Sequence, residues 1–508
     1  MLQRWKSSTF IAAGFALALT PTSAFAGGFE VPDQGARAVG RGGAYAVGAA
    51  DLTALHYNPG KLAPLAGTRV LYSHNLVFQD TSFQRATLSD AWGADAGTSF
   101  DPVHDKAKLW AGNGFGVVGS NFGLKNWMFA LGVYGPSAIG KHDYPNYGPQ
   151  SFLLTKMDVM VVYYSLAAAW QIPKKFGVGV TLQYVDMPTM RYALVADSTP
   201  VPTIDPIPDE SGTQLITDLN MADRVGFTAL VGLWYRPHSR VELGVGGRVV
   251  PVDMNAKGGV STDKSTLVSD DMTAQMRFQL PAQLRGGIRY IHPLKKSDTG
   301  EDEGERFDLE VDVTWENWSQ IDAFRLQFDG TINGQPIADL TIPKKWRDTV
   351  SVRVGGDVNL LNNHLTLRAG GLYETGASHP DFAHLDFPSF NRGGISAGVT
   401  GSIRGVALTV GFMHLFVQQQ ETTELAAKGF QLRPLAVCPD RCGGLSGVPA
   451  NAGTFRSRID ILALSLDLHF NEMFPNMGKK WRAKRAAKRG EAPEAPAGGP
   501  EGSETPAG

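Results

Sequence analysis

Apolar and polar residues alternate with a period of two along most of the chain, in segments of roughly ten residues separated by turn-forming stretches. Leu462, Leu464, Leu466, Leu468 and Phe470 share one face, with Ala463, Ser465, Asp467 and His469 on the other. Phe307, Leu309, Val311, Val313 and Trp315 interleave with Asp308, Glu310, Asp312 and Thr314. Val350, Val352 and Val354 alternate with Ser351 and Arg353, Leu365 and Leu367 with Thr366 and Arg368, and Leu284, Ile288 and Tyr290 stand opposite Arg285 and Arg289. The rule predicts strands near 68–80, 110–120, 126–135, 154–170, 176–188, 223–235, 240–256, 271–291, 306–318, 347–358, 364–374, 392–402, 405–416 and 457–470. That is an even number, fourteen.

The connections alternate in length. Long ones cover about 81–109, 136–153, 189–222, 257–270, 319–346, 375–391 and 417–456. Short ones fall at 121–125, 171–175, 236–239, 359–363 and 403–404, with the charged stretch 292–305 longer than its place in the series predicts. A soluble sandwich explains alternation but not loop length that alternates by side. In a bilayer every backbone donor and acceptor must be paired within the protein, so strands cross only as a closed barrel. Up-and-down closure then puts all odd connections at one end and all even ones at the other. The expected fold is an all-β, 14-stranded antiparallel transmembrane β-barrel spanning 68–470. Its long loops face outward, its short turns face the periplasm, and Trp234, Tyr235, Trp315, Trp318 and Trp346 serve as interfacial aromatics.

The N-terminus carries an export signature. Arg4 and Lys6 precede an apolar run from Phe10 to Leu19, followed by Pro21 and Ala24-Phe25-Ala26, so residues 1–26 read as a signal peptide. In an oxidising compartment Cys438 and Cys442 are expected to bond to each other, because two thiols without a nearby histidine pair make a poor zinc site. Neither a metal nor a cofactor is expected. The 47 basic residues nearly balance the 49 acidic ones, which argues against a nucleic-acid partner. Mean hydropathy of −0.13 excludes a bundle of membrane helices.

If the apolar face meets lipid, the polar face lines a lumen. There Asp308, Glu310 and Asp312 form an acidic column, flanked by Arg285 and Arg289 on one neighbouring strand and Arg353 on the other. Arg368 belongs to the same charged lining. Opposite charges on adjacent strands point to an internal salt-bridge lattice that rigidifies the barrel, in preference to an ion-selective wall. Fourteen strands enclose more space than side chains fill. Residues 27–67, rich in glycine and alanine and lacking alternation, are the expected plug, or hatch. Residues 471–508 form a basic segment (Lys479, Lys480, Arg482, Lys484, Arg485, Lys488, Arg489) and then a Pro/Gly/Ala/Glu tail, both periplasmic.

Around the plug the sequence resembles the FadL/TodX family of outer-membrane transporters of long-chain fatty acids and other hydrophobic compounds. The matching residues are Gly28-Phe29, Gly40-Arg41-Gly42-Gly43-Ala44, Ala50-Asp51 and Asn58-Pro59, with Gly60 where the family has alanine. Further matches are Val133-Tyr134-Gly135-Pro136, Leu280-Pro281, Trp346, Leu367-Arg368-Ala369-Gly370 and Asn391-Arg392. The resemblance implies uptake of a hydrophobic ligand by hatch-gated lateral diffusion, through a wall gap at a kinked third strand near Gly132, Gly135 and Pro136. It also implies that Phe29 occupies a ligand site, the plainer reading being a core residue of the hatch. Asn58-Pro59, with one backbone donor missing and a side-chain amide present, is expected to bond unpaired backbone at the break and, with Gly60, to shape the gap. A monomer in contact with outer-membrane lipid and lipopolysaccharide is expected. Two other classes stay open. A general porin would lack the plug, and a lipid hydrolase would need a serine paired with His74, His414 or His469, which the sequence does not place there.

Overall fold

The computed structural model describes residues 34–89, 97–111, 114–136, 141–198, 214–296, 302–433 and 447–474. The signal peptide, Phe29, Cys438, Cys442 and the tail from 475 onward lie outside the described residues. A closed antiparallel barrel of 14 strands accounts for most of the chain. The strands are β1 (Thr68–Arg85), β2 (Leu109–Ala111 and Phe115–Ser120), β3 (Trp127–Tyr134, continued by Lys141–Asp143), β4 (Lys156–Ile172), β5 (Phe176–Asp197), β6 (Gln214–His238) and β7 (Val241–Arg248 and Val252–Thr262). They continue as β8 (Thr273–Leu280 and Gln283–His292), β9 (Phe307–Glu316 and Ala323–Asp329), β10 (Leu340–Pro343 and Thr349–Leu360), β11 (Leu365–Glu374), β12 (Arg392–Ile403), β13 (Val406–Val417) and β14 (Gly453–His469). β14 closes the ring on β1, from Arg69↔His469 to Arg85↔Gly453.

Inside the lower ring the alternation acts as expected. Leu309, Val311, Val313 and Trp315 face out, while Asp308, Glu310, Asp312 and Thr314 are buried toward the lumen. The neighbouring strands repeat this, with Leu284, Ile288, Val350, Val352 and Val354 exposed and Arg285, Arg289 and Arg353 buried.

Three expectations change. The stretches 189–222 and 319–346 are not plain loops, because β5, β6, β9 and β10 continue through parts of them as paired strands above the ring. The stretch 271–291 is not one uninterrupted strand either. Its lower half pairs with Val241–Arg248 and Phe307–Glu316, its upper half with Val252–Thr262 and Ala323–Asp329, and Pro281 and Ala282 lie between. Proline has no N–H to give to a ladder, so the strand can slip there cheaply. The slip reverses the faces: Ala274, Met276 and Leu280 turn inward, and Arg277 turns outward. Above the ring the assembly is therefore an ordinary water-facing β-structure with an apolar interior of Met254, Met276, Phe324, Leu326 and Ile342. Finally, Phe470 does not end β14 but opens the short helical turn Phe470–Met473, and Asn471 of that turn accepts the Thr68 backbone N–H at 3.2 Å.

Candidate functional site

Residues 34–67 lie inside the ring, as α1 (Ala36–Gly40), α2 (Ala54–Tyr57) and the 3₁₀ turn Pro59–Leu62 joined by tight turns. So short a helix has no stability of its own. The segment is held by two features of the wall.

The first is the acidic column. Arg41 places one guanidinium nitrogen 2.9 Å from Asp308 and 2.6 Å from Asp357, and the other 2.8 Å from Glu310. Four consecutive backbone N–H groups then donate to the same column. Tyr45 and Ala46 each reach Asp312 at 2.8 Å, and Val47 and Gly48 reach Glu310 at 2.7 and 3.0 Å. Hydrogen bonds to a charged acceptor contribute about 1.5–3 kcal/mol each, and buried carboxylates left without them would be strongly penalised.

The second feature is glycine. With 59 glycines the chain holds about 12%, against a usual 7%. A Cβ on Gly355 or Gly370 would sit 2.1 Å from Arg41 backbone atoms, on Gly411 2.4 Å from the Ala36 carbonyl oxygen, and on Gly179 2.4 Å from that of Pro59. Wall and segment thus meet backbone to backbone.

The charged lining is arranged differently from the expected lattice in two places. Arg289 lies opposite Glu310 and bonds Asp308 at 2.6 Å as anticipated, and it also reaches Glu242 at 3.2 Å. Arg353, although opposite Asp312 in the ladder, turns instead to Glu374 at 3.0 Å, and it is the segment that bonds Asp312, through Oδ2. Arg285 points at the His56 carbonyl oxygen (3.2 Å) and over the Tyr57 ring (5.0 Å), and Arg368 lies 3.1 Å from Asp357. Arg41, Gln34 and Lys61, the last 3.1 Å from Glu242, make contacts between segment and wall that pattern reading missed. The available signal was a few basic residues in a small-residue segment facing an acidic column.

The Asn58-Pro59-Gly60 turn is not at the third strand. The Asn58 side-chain amide donates to Ala46 O (2.9 Å) and to Leu233 O of β6 (3.1 Å), while its oxygen accepts Gly60 N–H at 3.1 Å. The turn is seated across Gly177, Gly179 and Gly232, where a Cβ would come within 2.1–2.4 Å of a neighbour, and beside Gly244 and Gly246, where it would come within 3.0–3.1 Å. What reaches the third strand is Gln34, whose amide donates to Gly135 O at 2.5 Å. β3 is irregular there. It advances seven positions from Tyr134 to Lys141 while its partner β4 advances five, from Tyr163 to Asp158. Gly132 remains in the ladder opposite Ser165, with Leu55 packed where its side chain would be (3.3 Å), and Gly135 and Pro136 are buried just beyond.

Two cavities matter here, one bordering the segment and one in the apolar interior above it. On the short-turn side a polar cavity of about 500 Å³ is lined by Arg37, Arg289, Asp357, Thr366, Arg368 and Thr400, among others. On the long-loop side an apolar one lies between Leu194, Leu219, Met272, Leu326, Phe328 and Leu340. Nearby, Lys344 lies 2.6 and 2.8 Å from the oxygens of Asp386, which Tyr192 also reaches at 3.1 Å and His384 at 2.9 Å, all of them buried. Burial opposes the charge on Asp386, but the Lys344 ammonium holds the carboxyl well below the usual range. Burial also holds His384 below its ordinary value.

Folding therefore favours neutral His384. That contribution is complete above about pH 6.5, the unfolded value, and is lost as pH falls below it. The edge-to-face pair Trp318 and Trp346, 5.5 Å apart in the same core, supplies the readout. Its near-UV circular dichroism should melt at lower temperature at pH 5 than at pH 7.5, and coincident melts would refute the effect.

A closed barrel with an apolar outer wall and a chain segment docked in its lumen defines an outer-membrane transport barrel. The sequence matches the family described as Outer membrane protein transport protein (OMPP1/FadL/TodX) over residues 17–437, and the chain belongs to that family. Its members are outer-membrane β-barrels of Gram-negative bacteria that transport hydrophobic compounds, and they are channels, not enzymes. No curated protein matches the sequence significantly. The fold is similar to that of a Pseudomonas aeruginosa FadL homologue (TM-score 0.66, 14% identity, covering 87% of this chain and 100% of that one). It is similar also to the Ralstonia pickettii toluene transporter TbuX (0.58, 13%, 86% and 98%) and to the Pseudomonas putida toluene transporter TodX (0.57, 14%, 88% and 99%).

Proposed function

We propose that this protein takes up long-chain fatty acids or hydrocarbons by lateral diffusion, gated by residues 27–67 acting as a hatch. The observation that carries the reading is the irregular stretch of β3 beside Gly135 and Pro136, whose free carbonyl is taken by Gln34 of the segment instead of by a ladder partner. A ligand entering the apolar interior on the long-loop side would have to part its side chains, since the cavity there is only about 20 Å³; it would then meet a lumen closed below by charged contacts, and would leave sideways. That route suits an apolar chain, since each CH₂ kept from water is worth about 0.8 kcal/mol. Phe29 at the start of the segment is proposed to compete for the ligand site, and the ring closes without a second copy, which fits a monomer.

Asn58→Ala with Pro59→Ala unseats the segment from β6, and Gln34→Ala frees Gly135. Each loses hydrogen bonds worth about 1–3 kcal/mol. Uptake of a labelled fatty acid or alkane by cells carrying either variant should fall by roughly tenfold, while heat-modifiability on gels still reports a folded barrel. Parental uptake in both would remove the hatch mechanism and leave passive diffusion.

A further inference from the structure

The strand slip at Pro281 places a cationic surface on the outside of the barrel. Had β8 run on unbroken, Arg277 would share the lumen face with Arg285 and Arg289. Instead it is exposed on the outer wall, directly opposite Arg325 of β9 in the ladder, and across β7 it pairs with Asn255. Lys257 lies two residues further along β7, also exposed. Like charges directly opposite one another on a sheet are destabilising. Among the described residues no carboxylate forms an ion pair with Arg277, Arg325 or Lys257, and Arg277 reaches only the amide of Gln275. Neighbouring acids are engaged elsewhere, Asp253 by the Gln279 amide, Asp339 by the Gln327 amide, and Asp223 by the backbone N–H groups of Asn255 and Val225. Other outward cations on the extended strands are neutralised, as Arg191 is by Asp218 and Arg224 by Asp186.

The height of the patch says what meets it. Arg277 is seven residues along β8 from exposed Leu284, its ladder partner Asn255 is five along β7 from exposed Val250, and Ala222, opposite Lys257, is three along β6 from exposed Val225. At about 3.3 Å per residue and a tilt near 40°, the cations stand roughly 8–18 Å above these outermost apolar residues. Acyl chains end below that level. With the long loops outward, what surrounds the barrel there is the sugar layer of the outer leaflet, whose inner part carries phosphates and carboxylates. Asn255, Gln279, Gln327 and Thr341 flank the cations on the same face and offer hydrogen bonds suited to saccharide hydroxyls. We propose that Arg277, Arg325 and Lys257 form a docking surface for the acidic inner-core saccharide of lipopolysaccharide, whose anions offset the repulsion within the patch.

The test uses full-length protein purified in detergent and depleted of lipopolysaccharide, titrated with purified rough lipopolysaccharide that retains its inner core, and separately with lipid A alone and with phosphatidylglycerol. Arg277→Gln with Arg325→Gln should weaken binding of the core-bearing form by about tenfold or more, because charge-assisted contacts are lost. Arg191→Gln should leave binding unchanged, its charge being already paired. Lipid A and phosphatidylglycerol should bind the parent and both variants alike. Misfolding is not a concern for the double variant, which relieves a repulsion, and heat-modifiability checks it. Equal binding of core-bearing lipopolysaccharide by all three proteins would overturn the proposal. So would an equal loss with Arg191→Gln, or a loss for phosphatidylglycerol as large as for lipopolysaccharide, since either reports charge alone. Because uptake is not the readout, the outcome is independent of the hatch mechanism.

Discussion

Removing residues 27–67 should leave a folded barrel whose single-channel conductance in planar bilayers rises several-fold. Fourteen strands cannot fill their own lumen with side chains, and residues 34–67 are what occupies it. The wall is held by its own ladders from β1 round to β14, none of which uses the segment. Asp308, Glu310, Asp312 and Asp357 would lose Arg41 and the backbone donors at 45–48, but the water that replaces the segment can solvate them. The cost is thus smaller than for a charge orphaned in a dry core. The opened pore should favour cations, because four carboxylates would then face it with Arg289 and Arg368 as their remaining partners. An unchanged conductance with a folded barrel would mean that the lumen is not blocked by this segment.

Gly355→Val combined with Gly370→Val should give nearly the same opening without touching the segment. Both positions face the lumen on neighbouring strands, paired in the ladder, and a Cβ at either would meet Arg41 backbone at 2.1 Å. Valine is a better strand residue than glycine, so the wall itself should be no less stable. Arg41 cannot move away while keeping Asp308 and Glu310 in reach, so the steric gain of the strand is the loss of the seat. The measurement is conductance together with protease cleavage within 34–67 in the purified protein. Parental conductance and a protected segment in this variant would show that the glycines are not what admits it.

Alternation of side chains was enough to read fourteen strands, their order and the inward direction of Arg285, Arg289, Asp308, Glu310, Asp312 and Arg353. These are local properties: in a strand of period two, neighbours determine which face a residue shares. Loop-length alternation likewise gave closure, since only a ring keeps the two ends distinct. The glycine-rich stretch 27–67 read as a plug because it had neither strand nor helix period, and residues 34–67 of it lie inside the ring. Its partners were not legible. Whether an acidic column meets basic strands or a guest segment depends on what lies across the lumen, hundreds of residues away in sequence, and Arg41 beside Asp308 has no local signature.

The Asn58-Pro59 turn shows the same limit. Its amide chemistry was readable, but its seat on β6 and the role of Gln34 at Gly135 follow from how the segment coils inside the ring. The clearest division falls at Pro281. On both sides of it the even-numbered residues are the apolar ones, from Ala274 through Leu280 to Leu284 and Tyr290, and by pattern alone they share a face. Pairing with β7 and β9 slips there, so the lower set meets lipid and the upper set packs a water-excluding core. Hydrophobicity dictates that each set be buried from water, but whether bilayer or protein does the burying depends on height above the membrane, and only the assembled barrel sets that height.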